Sequence, residues 1–66
     1  MLTLQPQVFI IILNWNGKID TLACLNSLQK STYSNQEIIV VDNGSRDDSV
    51  EQIKVLYPEV IILETG

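Results

Sequence analysis

Two short polar clusters stand where chemistry could occur. One is Asp42-Asn43-Gly44-Ser45, directly after the apolar run Ile38 to Val41. The other is Asn14-Trp15-Asn16-Gly17, directly after the apolar run Val8 to Leu13. An apolar strand with a polar tip, a tight turn and a helix is how a buried parallel sheet delivers side chains to a crevice. In open α/β sheets ligands gather at the carboxyl ends of the strands. Any chemistry in this chain should therefore lie near Asp42 and Asn43. Ser45 is expected to cap a helix; as a nucleophile it would want a histidine, and the sequence has none.

Composition narrows the field. The chain has 66 residues, enough for one domain at most, and 45% of them are hydrophobic, which is too many for a disordered segment. The formal charge is -4, with only four basic residues. That is too little positive charge to neutralise a phosphate backbone, so no nucleic-acid partner is expected. The absence of histidine with a lone cysteine, Cys24, excludes an internal disulfide and a zinc site of Cys/His type. Cys24 falls in a helical pattern and is expected to be a small buried residue. No apolar run nears the 18 or so residues of a membrane span, and no signal peptide is apparent. A cytoplasmic location is the default.

The elements that must position the clusters follow from pattern. Residues 1–7 form a polar leader. Val8 to Leu13 lacks alternation and is rich in β-branched residues, so it reads as a strand buried on both faces. Asn16-Gly17 is turn chemistry. Lys18 to Ser31 reads as a helix, with Leu22, Leu25 and Leu28 on one flank. Ser31 to Gln36 is a polar loop containing Tyr33, which is expected to pack on that helix. Ile38 to Val41 is a second strand. The next helix is expected to open at Ser45 as N-cap, with Asp48 completing a loose capping box. Asp47, Asp48 and Glu51 fall in its first turns, where negative charge meets the positive helix end. Val50, Ile53 and Tyr57 give its buried face, and Pro58 stops it. Val60 to Leu63 is a third strand.

The fold class is therefore α/β, ordered β-α-β-α-β with three parallel strands. Right-handed crossovers running the same way put both helices on one face. The other face is left bare although the strands are apolar throughout, and the sheet edges are open. The expectation is that the chain is the opening segment of a larger α/β domain, prone to self-association through the exposed sheet. A phospho-receiver-like domain is an alternative, but it would want an acidic pair after the first strand, where Asn14-Trp15-Asn16 stands. A truncated product without function is another. A dinucleotide site is disfavoured, since no Gly-x-Gly-x-x-Gly follows the first strand.

In order and spacing, the pieces Val8 to Gly17, Cys24 to Leu28, Thr32-Tyr33 and Glu37 to Ser49 together resemble the start of a family 2 glycosyltransferase. The spellings Asn-Trp-Asn-Gly and Val-Asp-Asn-Gly-Ser are similar to its rhamnosyltransferase-containing branch. The resemblance implies a GT-A, Rossmann-like domain, of which residues 1–66 would be the N-terminal part. It implies inverting transfer of a sugar from a UDP- or dTDP-sugar to a saccharide acceptor, as in polysaccharide biosynthesis. It implies nucleotide-binding roles for Leu13, Asn14, Trp15, Asn16, Asp42 and Asn43. Many relatives carry tyrosine where Trp15 stands and a second aspartate where Asn43 stands. A divalent metal, Mg or Mn, is expected in full-length members, held by an Asp-x-Asp motif that lies with the general base beyond Gly66. This segment is expected to bind no metal and to be inactive alone. Asp47-Asp48 is not that motif, because the helix opening accounts for it.

Overall fold

The computed structural model describes residues 6–31 and 35–66. Met1 to Gln5 of the leader, and Thr32, Tyr33 and Ser34 with the packing expected of Tyr33, lie outside the described residues. The element order is β1 (Val8–Asn14), α1 (Lys18–Gln29), β2 (Gln36–Asp42), α2 (Ser49–Leu56) and β3 (Ile61–Glu64). All three strands are parallel and lie in the order β1-β2-β3. Parallel neighbours need a crossover element between them, and each helix serves as one. The fold class read from the sequence is the one observed.

The register decides which side chains meet. Ile10 pairs with Ile38, Ile12 with Val40, and Asn14 with Asp42. On the other side of β2, Val40 pairs with Ile62 and Asp42 with Glu64. Strand side chains alternate between faces. Ile10, Ile12 and Asn14 therefore share a face with Ile38, Val40 and Asp42. Both helices pack on that face. Leu25 of α1 and Ile53 of α2 are fully buried with Val40, joined by Ile38 and Val60 and flanked by Leu22, Leu28, Tyr57 and Ile62. The leucine flank of α1 and the Val50–Ile53–Tyr57 face of α2 are where periodicity puts them.

Two expectations fail for local reasons. Cys24 is exposed. The buried stripe of α1 centres on Thr21 and Leu25. At about 100° per residue, Cys24 sits roughly a quarter turn off that stripe. The second helix opens at Ser49 rather than at Ser45, with Asp48 at the N-cap. Ser45 is drawn away from capping by the carboxylate of Asp42, which its hydroxyl and its backbone N–H both approach.

The opposite face of the sheet is open. Phe9, Ile11 and Leu13 of β1 are 62%, 64% and 79% exposed, and Ile61 and Leu63 of β3 are about half exposed. Ile39 and Val41 lie between them, half-buried only by their neighbours. An apolar surface of this continuity is rare on a monomer. The chain on its own is therefore expected to associate at micromolar concentration and to bind a hydrophobic dye. Ile11→Lys should lower both, with the far-UV circular dichroism unchanged. A parent chain that sediments as a cooperatively unfolding monomer would contradict this.

Candidate functional site

At the carboxyl end of the sheet, the tips of β1 and β2 are tied by a side-chain network. Asn14 and Asp42 are 1% and 2% exposed. The register sets them side by side, beneath the first turns of α1 and α2. The Asn14 amide donates to Asp42 Oδ1 at 2.8 Å, to Ser49 Oγ at 2.9 Å and to Ser45 Oγ at 3.2 Å. Its Oδ1 accepts from the Thr21 hydroxyl at 2.6 Å. The Ser45 hydroxyl donates to Asp42 Oδ1 at 2.6 Å, and the Ser45 N–H to Asp42 Oδ2 at 3.1 Å. The Ser49 hydroxyl in turn donates to Asp47 Oδ1. Burying polar groups costs free energy unless each finds a partner. Here every buried side-chain N and O among the described residues has one.

The electrostatics follow from this geometry. Burial acts to raise the pKa of Asp42. The hydroxyl and N–H of Ser45, the amide of Asn14 and the N–H of Gly44 outweigh it, and hold the carboxyl below its ordinary value. Asp47 is also held low, first by the Ser49 hydroxyl and then by the N–H groups of Ser49 and Lys18. Asp48 is paired with Lys18 at 2.8 Å. The Asp47 and Asp48 oxygens are thus turned to internal donors and a lysine. Among the described residues no cluster of His, Cys, Asp or Glu is gathered to hold a cation. The described carboxylates of this segment therefore do not fit the divalent metal that the resemblance implies.

The six nucleotide-binding candidates fall into three groups. Asn14 and Asp42 are internal. Leu13, Trp15 and Asn43 are exposed and line one cleft of about 340 Å³ with Val41, Thr65 and an edge of the otherwise buried Asn14. Trp15 is 69% exposed, so its ring is available as a platform. The Asn43 N–H donates to the Asn14 carbonyl at 3.1 Å, and Gly44 turns the chain with φ of +77°. That conformation suits glycine and strains other residues. A Cβ on Gly66 would come within 2.5 Å of the Gly44 nitrogen, so only glycine lets the end of the third strand approach this turn. Thr65 donates its N–H to the Asp42 carbonyl at 2.8 Å, and its hydroxyl lies 3.4 Å from Asn43 Oδ1. Asn16 forms the third group: its side chain turns toward the β2–α2 loop. Asn16 Oδ1 accepts from Arg46 N–H at 2.7 Å and from Asp47 N–H at 3.3 Å.

Thr21 and Ser49 support the site without having been singled out as site residues from sequence. The available signal was a polar residue on an apolar helix face. Thr21 lies one turn before Leu25, and Ser49 one turn before Ile53.

Stability should carry the sign of these carboxylates. An aspartate in the unfolded chain titrates near 3.9. A lower folded value means that the unfolded chain takes up protons first on acidification. The contribution of Asp42 is therefore complete above its unfolded pKa and lost as pH falls through its folded one. Urea midpoints of the parent should drop steeply below about pH 4. Asp42→Asn should be less stable at pH 7 and should show a shallower acid limb, with a residue of slope from Asp47. An acid limb of unchanged slope in the variant would refute the assignment.

Comparison with known proteins agrees with this architecture. The model of the family described as "Glycosyl transferase family 2" matches residues 9–66. An uncharacterised glycosyltransferase of Escherichia coli K12, YibD, is 35% identical over 66 residues, covering 96% of this chain and 19% of its own length. The glycosyltransferase AglE of Haloferax volcanii is 37% identical over 68 residues, covering 96% of this chain and 22% of its own. The chain thus spans about a fifth of the length of these relatives. No solved structure matches it. Three parallel strands joined by two helices are the expected beginning of a Rossmann-like GT-A domain, and the chain belongs to glycosyltransferase family 2.

Proposed function

We propose that the cleft at the ends of the three strands receives the nucleoside half of a nucleoside-diphosphate sugar. The donor class is a UDP- or dTDP-sugar, and the transfer is an inverting one to a saccharide acceptor, in the cytoplasm. The observation that carries this reading is the partition of the two polar clusters. Asn14 and Asp42 are buried and hydrogen-bonded, Asn14 reaching the cleft only as part of its wall, whereas Leu13, Trp15 and Asn43 stand exposed around that cleft.

The chemistry fits a pyrimidine. Its ring has a flat face, and Trp15 offers another. Base–aromatic stacking contributes about 1–3 kcal/mol where it has been measured by truncation. Uracil and thymine present an N3–H donor between carbonyl acceptors. The amide of Asn43 can accept from the one and donate to the other. Leu13 and Val41 supply an apolar floor beneath the ring. Asp42, by contrast, has its oxygens occupied by Asn14, Ser45 and Gly44, so its role is to hold the turn that carries Asn43. The same occupancy disfavours the phospho-receiver alternative, which would require a free aspartate oxygen at this strand end.

In this assignment the segment contributes recognition of the donor. The electrophilic assistance to the leaving diphosphate and the base for the acceptor hydroxyl belong to other residues of a full-length member. No helix among the described residues is long and apolar enough to cross a membrane.

The reading is tested by isothermal titration of UDP and dTDP. Trp15→Ala is expected to weaken binding by about ten-fold or more, which is the lower part of the stacking range. Asn43→Ala should weaken it further, with UDP and dTDP affected alike. Unchanged affinity in the double variant would remove the site assignment.

A further inference from the structure

Asn16 does not line the cleft, yet it sits between the two loops that form it. Its backbone is left-handed, with φ of 48°, the only non-glycine residue of that kind among those described. Asparagine tolerates this region better than most residues. Three bonds fasten it to the β2–α2 loop. Its N–H donates to Ser45 Oγ at 2.9 Å, and its Oδ1 accepts from the N–H groups of Arg46 and Asp47. Ser45 is in turn bonded to Asp42, whose strand continues into Asn43. One residue upstream of Asn16 is Trp15, which is 69% exposed.

We infer that Asn16 is a positioning residue. It clasps the loop after β1 to the loop after β2 and thereby fixes Trp15 over the cleft relative to Asn43. This rests on the reading of Trp15 as the stacking platform, and it assigns Asn16 an indirect part in place of contact with the nucleotide. An exposed tryptophan on a free loop reorients on the nanosecond scale. A platform that must be immobilised on binding costs affinity, and one already fixed does not. The clasp provides that fixation through backbone N–H groups. The side chain of Arg46 takes no part in it, whereas the Asp47 carboxylate adds a further tie by accepting from the Lys18 N–H at 3.3 Å.

Trp15 is the only tryptophan of the chain, so its fluorescence reports this residue alone. Two variants separate the clasp from the backbone conformation. Asn16→Gly keeps φ accessible and removes the acceptor. Asn16→Asp keeps an acceptor oxygen for both N–H groups. With circular dichroism verifying the fold of each, time-resolved anisotropy is expected to show a larger fast component in Asn16→Gly. Asn16→Asp should match the parent. UDP affinity should fall about five- to ten-fold in Asn16→Gly, part of the full stacking effect, and return in Asn16→Asp.

Anisotropy in Asn16→Gly equal to the parent, or an equal rise in both variants, would overturn the inference. A rise confined to Asn16→Gly with no UDP binding by the parent would leave the clasp standing and strike down the nucleoside reading instead.

Discussion

The hydrogen bond between Asn14 and Asp42 is the constraint on which the end of this sheet depends. It joins adjacent strands at the same register level and at the point where both chains leave the sheet. A buried carboxylate is tolerated there because Ser45 and Gly44 supply N–H donors from the turn it nucleates, while Asn14 supplies another from the neighbouring strand. Thr21 and Ser49 then tie the same amide to α1 and α2. One asparagine thus reaches both helices and the second strand, and leaves no buried polar group among the described residues without a partner. A half-satisfied network would cost more than an apolar core of the same shape.

Strand alternation converts this constraint into a division of labour. Asn14 and Asp42 share the parity of Ile12 and Val40 and turn under the helices. Their immediate neighbours Leu13, Trp15, Val41 and Asn43 take the opposite parity or lie past the strand ends, and so meet solvent around the cleft. Structural and ligand-facing positions therefore interleave along one short stretch of sequence. The same alternation makes Phe9, Ile11, Leu13, Ile61 and Leu63 an open apolar surface, continuous with the wall of the cleft.

Much of this is legible in the sequence. The β-branched runs marked three strands, the leucine spacing marked the buried flank of α1, and same-handed crossovers implied a bare sheet face. The functional ends of the strands were legible as well, since polar residues follow directly on apolar runs. The roles within each cluster were not. That Asn14 lies opposite Asp42 depends on register, which the polar loop between α1 and β2 does not encode in its composition. The start of α2 is not legible in the sequence, because Ser45, four residues upstream, satisfies capping rules as well as Asp48 does. Only the position of the Asp42 carboxylate reveals that Ser45 is already engaged. The exposure of Cys24 turned on roughly a quarter of a helical turn, finer than leucine spacing resolves.

The central claim is that the polar pair within the sheet builds the site while Trp15 and Asn43 meet the nucleotide. Amide and indole N–H resonances of a nitrogen-15-labelled protein report each of these side chains separately. On titration with UDP, the Trp15 indole and Asn43 side-chain amide signals are expected to shift together and saturably. The Asn14 side-chain amide should stay in place. Shifts of the Asn14 amide, with Trp15 and Asn43 unmoved, would contradict the account.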